Sequence, residues 1–261
     1  MLSITPIVRQ LLLINIGLFF VQSLLGVDLI NSLGLRYVFS GSFRPYQFFT
    51  HLFVHASFSH LFSNMFSLLT FGPMLEHTLT SKRFTTFYIL TGMGAAVLYA
   101  CIQYLEVSKL EVLYHAYWAQ PDPQRFVAFL HYFPHSTYNA FYSFIAAFFE
   151  HPDNLAYIAK SKAIVSQLYM LKVDRPTVGA SGSVFGIFMA FAMLFPNIEL
   201  YLYFIPIPIK VKYVIAIFSV YELYAGMKAS PTDNVAHFAH LGGILFAYLF
   251  IRWWRQQRYD E

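Results

Sequence analysis

Charge is scarce in this chain of 261 residues: only 11% are Asp, Glu, Lys or Arg, while 57% are hydrophobic. A soluble domain carries roughly 25% charged residues, so the composition speaks against that class, and a mean hydropathy of +0.53 agrees. Cysteine is nearly absent. Cys101 alone can form neither an intrachain disulfide nor a cysteine metal cluster, and it identifies no redox compartment. No HExxH motif occurs, which removes the usual helix-borne zinc protease pattern. The net charge is only +4, with no basic cluster on a soluble domain, so nucleic acid is not expected as a partner.

What the chain does have is long hydrophobic runs, at 8–27, 58–79, 84–105, 181–195, 211–227 and 235–254. They approach the roughly 20 residues that cross a bilayer as a helix. The expected fold is all-α: a polytopic membrane protein with six transmembrane helices in a single domain, 1–261. The first run lacks a small-residue cleavage site and exceeds a signal-peptide core, so it reads as a retained anchor. Lys82, Arg83, Lys210, Lys212, Arg252, Arg255 and Arg258 all fall on one side of six alternating spans. The positive-inside rule makes that side, with both termini, cytoplasmic.

Segments 28–57, 106–178 and 228–234 then face outward. The middle one is a long insertion between the third and fourth spans, too long for charge counting to orient. Pro121, Pro123, Pro134 and Pro152 interrupt it. Its aromatic run 141–149 suits helices lying at the membrane interface, and 138–149 is shorter than the ~17 residues a crossing needs. His115, His131, His135 and His151 show no ligand spacing and read as ordinary surface or interfacial residues.

Ser181 opens the fourth run, flanked by Gly179-Ala180 and Gly182. At ~1.5 Å rise per residue, Ser181 lies ~21 Å and His240 ~20 Å above the cytoplasmic ends of their helices. Asn64 lies at ~17 Å and His60 at ~23 Å on theirs, so all four share one layer. Polar side chains at such depth are costly and usually functional. The fourth run is short for a crossing, so the backbone before Ser181 must dip into the bilayer, where only protein or a water-filled cavity can satisfy it. The glycines permit unusual torsions, and the Ser181 amide at a helix start is an anion donor.

Other uses compete for each of these residues. Gly182 with Gly186, and Gly243 with Ala247, are small-residue pairs that admit a neighbouring helix; contact between them would bring Ser181 to His240. His60 and Asn64 share a helix face, and serve either as an interhelical hydrogen-bonding pair or as oxyanion donors. His51 and His55 are expected to order the outer loop. His237 rivals His240 as a base, but His240 is deeper and adjoins the glycine pair. His51 with His55, or His237 with His240, could pair on a metal, yet no carboxylate is expected near them, so neither a metal nor another cofactor is expected. Glu76 is expected to cap within the bundle and Glu222 to be structural. With no acid expected to orient His240, the site reads as a dyad.

These residues together resemble the rhomboid family of intramembrane serine proteases. The resemblance rests on His51-x3-His55-x4-His60-x3-Asn64, Gly179-Ala180-Ser181-Gly182 and Ala239-His240-x2-Gly243-x3-Ala247. It implies Ser181 as nucleophile, His240 as base, and His60, Asn64 and the Ser181 amide as oxyanion donors, supported by Gly179, Gly182, Phe185, Gly243 and Ala247. It further implies a site opening to the extracytoplasmic side, membrane lipid around it, and transmembrane protein substrates, single-pass and with small residues at the cut. Tyr46-Gln47 stands where family members often have Trp-Arg, and Phe185 where Tyr is common. The insertion 106–178 exceeds the usual connection, and segment 228–234 is expected to act as a lid. A bacterial inner membrane is the expected location. Two other classes remain: a catalytically silent rhomboid-like protein that binds membrane clients, and a proton-relay transporter, for which no inverted repeat is evident.

Overall fold

The computed structural model describes residues 3–202, 205–228 and 236–257. The expected lid at 228–234, apart from Lys228, and the basic Arg258 lie outside the described residues. Helices occupy every hydrophobic run: α1 (Pro6–Leu25), α4 (Phe58–Leu79), α5 (Ser81–Ala119), α10 (Ser181–Leu194), α11 (Val211–Lys228) and α12 (His237–Gln257). By length and composition α1 and α5 can each cross a membrane, and α10 is a shorter apolar helix. Short helices α2 (Leu29–Leu33) and α3 (Gln47–Thr50), followed by a 3-10 turn at His51–Phe53, order the segment between α1 and α4.

Apolar side chains line both the inside and the outside of this bundle. Val8, Leu68, Leu75, Phe84, Phe87, Ile187 and Ala247 are fully buried at its centre or nearly so, while Phe58, Phe62 and Phe66 on α4 and Ile217, Val220 and Met227 on α11 are exposed. Water would not tolerate so much contiguous apolar surface. The protein is membrane-integral, with these faces turned to lipid. Glu76 ties the opposite end together, its two carboxylate oxygens accepting from the Ile7 and Val8 amides at 3.2 and 3.0 Å, and Oε1 also from the Ser81 hydroxyl at 2.6 Å. It therefore caps α1 and holds the start of α5, as a carboxylate at a helix N-terminus should.

The chain is mostly helical, as expected, with one departure: β1 (Glu199–Leu202) and β2 (Ile205–Lys210) form an antiparallel hairpin that sets Glu199 opposite Lys210. Alternating isoleucine and proline in Ile205-Pro206-Ile207-Pro208-Ile209 explains it, because the prolines forbid a helix interior and β-branched residues favour strands. The third apolar run continues as helix past 105 into the 106–178 segment, since α5 runs 39 residues without a break, ~58 Å long. No proline or glycine occurs between 105 and 119 to end it.

The aromatic run turns one face inward, while Tyr142 and Phe149 stay exposed. The helices α6 (Pro123–Leu130), α7 (His135–Ala140), α8 (Tyr142–Glu150) and α9 (Leu155–Val173) fold back on the projecting part of α5. They bury Phe144, Ile145 and Phe148 of that run with Leu110, Tyr117, Phe126 and Phe129 in a second core, separate from the first. The Tyr117 hydroxyl is hydrogen-bonded to Ser161 at 2.5 Å across that core. His131 and His135 pack on Tyr138, and His151 on Tyr157, as ordinary ring contacts.

Candidate active site

The backbone leading into Ser181 is non-helical from Asp174 to Ala180, and the segment between α1 and α4 satisfies it. Leu35 and Thr177 exchange both backbone hydrogen bonds at 2.8 Å, and the Gly179 amide donates to the His51 carbonyl at 2.9 Å. The Ala180 amide reaches His55 Nε2 at 3.5 Å. At the outer end Arg36 pairs with Asp174 at 2.8 Å, and Ser40 donates to the same carboxylate at 2.7 Å. Burial raises the Asp174 carboxyl, but the Ser40 hydroxyl and the Arg36 charge outweigh it and hold it below the usual carboxylate range. Irregular backbone in a membrane protein is thus paired by protein, as the short fourth run required.

His51 and His55 are part of this clasp. His51 Nδ1 is 2.9 Å from the Gln47 carbonyl. Burial lowers His51 to about 4, and burial with the neighbouring His60 lowers His55 to about 3, so both stay neutral. Gln47 is itself buried; its side-chain oxygen Oε1 accepts from the Arg36 and Arg44 amides at 3.4 and 3.2 Å. The loop is thereby internally bonded.

Gly179 sits at φ +124°, a region that favours glycine. A Cβ there would stand 2.5 Å from His60 Cε1, so the imidazole of His60 lies directly against the backbone before Ser181. One turn further along α4, Asn64 is buried, and its Nδ2 has no hydrogen-bond partner among the described residues. Unpaired buried donors are rare and call for an explanation.

Ser181 is the first residue of α10. That helix meets α12 backbone to backbone: a Cβ on Gly243 would fall 2.0 Å from the Gly182 carbonyl oxygen, and one on Gly186 3.4 Å from the Gly243 carbonyl. Ala247, one turn on, is fully buried in the same seam. Phe185 stacks on His240 with ring centroids 4.1 Å apart and planes 10° from parallel. The ring alone accomplishes this without a tyrosine hydroxyl. Among the described residues the Ser181 hydroxyl makes no hydrogen bond. Ser181 and His240 are brought to the same seam by neighbouring helices and are not joined as a bonded pair.

Glu222 overturns the expectation that no carboxylate stands near the histidines of α12. Its Oε2 is 2.6 Å from His237 Nδ1 and 2.9 Å from His240 Nδ1, and Glu222, His237 and His240 are 5%, 7% and 8% exposed. A carboxylate oxygen only accepts here, so both imidazoles carry a proton on Nδ1; in neutral His240 the lone pair is then on Nε2. The sequence held a usable signal: one glutamate inside the apolar run 211–227 is a functional candidate by default. Its partners lie 15 and 18 positions away on another helix, which no local spacing reveals.

The Rhomboid domain model matches residues 42–108 and 128–256, most of the chain. Rhomboid-like protein 11, chloroplastic, of Arabidopsis thaliana is 36% identical over 85 residues, which is 33% of this chain and 29% of that protein's length. The chain belongs to the rhomboid family.

Proposed function

We propose that the protein is an intramembrane serine endopeptidase. The observation that carries this reading is the α10–α12 seam. Across it Gly182, next to Ser181, meets Ala239 and Gly243, the His240 ring stacks on Phe185, and His240 Nδ1 is engaged by Glu222. His240 Nε2 then takes the proton of the Ser181 hydroxyl as Oγ attacks the scissile carbonyl, the usual activation of a serine by an adjacent base. The tetrahedral oxyanion accepts from Asn64 Nδ2, His60 and the Ser181 amide. Collapse expels the amine, which leaves with the proton held on Nε2. Water then attacks the acyl-enzyme, giving its proton to the same nitrogen, and collapse breaks the carbonyl–Oγ bond, returns that proton to Ser181 Oγ and releases the new carboxylic acid. Glu222 positions His240 and stabilises its imidazolium, so the arrangement goes beyond the expected dyad.

Six crossings, by α1, α4, α5, α10, α11 and α12, put both termini in the cytoplasm and open the site outward. The substrate class is single-pass membrane proteins whose helix unwinds locally at small residues, because a helical peptide bond is shielded by its own turn. The unbonded Ser181 hydroxyl favours a second reading, retention of membrane clients without cleavage, although catalytic hydrogen bonds often tighten only when substrate is bound. A serine-directed fluorophosphonate probe separates the two. Labelling that disappears in Ser181→Ala and His240→Ala supports the protease; folded wild type that never labels supports the binder.

A further inference from the structure

We infer that Glu222, His237 and His240 form a binding site for one divalent transition-metal ion, and that the ion switches the protein off. Among the described residues this is the group of metal-ligating side chains that converges, with one donor atom from each residue lying within 4.8 Å of the others. His237 and His240 are one turn apart at the start of α12, and Glu222 comes from the facing side of α11. The carboxylate oxygen already stands at 2.6 and 2.9 Å from the two Nδ1 atoms. Zinc holds nitrogen and oxygen ligands at ~2.0–2.2 Å, which spaces tetrahedral ligand atoms about 3.4 Å apart, so the carboxylate draws back and the two imidazoles close in, each by up to about an ångström, to seat one ion among all three.

The donor set selects the class of ion. Two imidazole nitrogens and one carboxylate suit zinc or ferrous iron and leave positions open for water, whereas magnesium and calcium prefer oxygen throughout. The site is at the first turn of α12, near the end of the bundle, and none of its three residues is completely sealed.

Inhibition follows from the tautomer. Without metal, Nδ1–H of His240 donates to Glu222 and Nε2 keeps its lone pair. A metal bound at Nδ1 takes that nitrogen's lone pair, so the proton moves to Nε2. The nitrogen that would accept the Ser181 proton is then already protonated. Binding itself rests only on the three side chains; the consequence rests on the base role proposed for His240.

The test uses the full chain without a polyhistidine tag, in detergent micelles. Cobalt(II) titrated into Ser181→Ala protein is expected to give one equivalent of visible ligand-field absorption, displaced by zinc and unaffected by magnesium or calcium. In His237→Gln on the same background the absorption is expected to be lost, with affinity falling by more than the ~10–100-fold that loss of an outer-shell partner costs. No absorption at one equivalent, or absorption unchanged in a His237→Gln protein of unaltered melting temperature, overturns the site. In wild type, zinc is expected to suppress fluorophosphonate labelling and a chelator to restore it, while labelling of His237→Gln ignores zinc. Labelling of wild type at full rate with the metal bound overturns the switch. Wild type that never labels counts against the protease reading alone, since the cobalt spectrum decides the site by itself.

Discussion

Asn64 separates function from stability at the scale of a single side chain. Its buried Nδ2 has no partner among the described residues, and such a donor costs about 1–3 kcal/mol in desolvation. Removing an oxyanion donor costs ~100–1,000-fold in rate. Asn64→Ala is therefore expected to lose that much cleavage rate with no fall in melting temperature; a variant that melts lower at full activity would make Asn64 a packing residue. Glu222→Gln weakens the acceptor that fixes the His240 tautomer, a change worth up to ~10⁴-fold in kcat in a serine triad. It is expected to lower kcat while KM stays put; a change in KM alone would rule out positioning. Ser181, His60, Asn64 and His240 could be named as candidates in advance because each sits in a short motif with its own spacing. Glu222 was not, because its partners are far away in sequence and on another helix.

The elements argue through their contacts. At Gly243 a Cβ meets the Gly182 backbone at 2.0 Å, while at Gly17 on α1 it meets nothing within 4 Å. Backbone cannot swing aside as a side chain can, so Gly243→Ala must push α12 off α10, costing about 1–3 kcal/mol as overpacking does. Thermal unfolding and probe labelling are both expected to fall for Gly243→Ala and to hold for Gly17→Ala, where alanine is the better helix former. Equal behaviour of the two would remove the seam from the argument. Helix positions were readable in advance because an apolar run in lipid has to satisfy its own backbone. The hairpin was hidden by the absence of any turn motif of the Asn-Gly kind. The length of α5 was hidden because its polar continuation ends no helix.

For the molecule as a whole, the two separate cores make a prediction about coupling. Phe126 and Phe129 are fully buried in the helices outside the bundle, and a buried Phe→Ala change costs about 3–5 kcal/mol. Phe126→Ala with Phe129→Ala is expected to open 120–154 to trypsin while fluorophosphonate labelling persists; parallel loss of both would mean that the cores fold as one. The sequence by itself determined membrane residence and the course of the main helices, because hydrophobic run length is a local property. Only the tertiary structure decided that the residues 174–180 are paired by the loop before α4, that the insertion has its own core, and that Glu222 joins two histidines. Each of those depends on hydrogen bonds or burial between segments far apart in the chain, where one-dimensional spacing carries no distance.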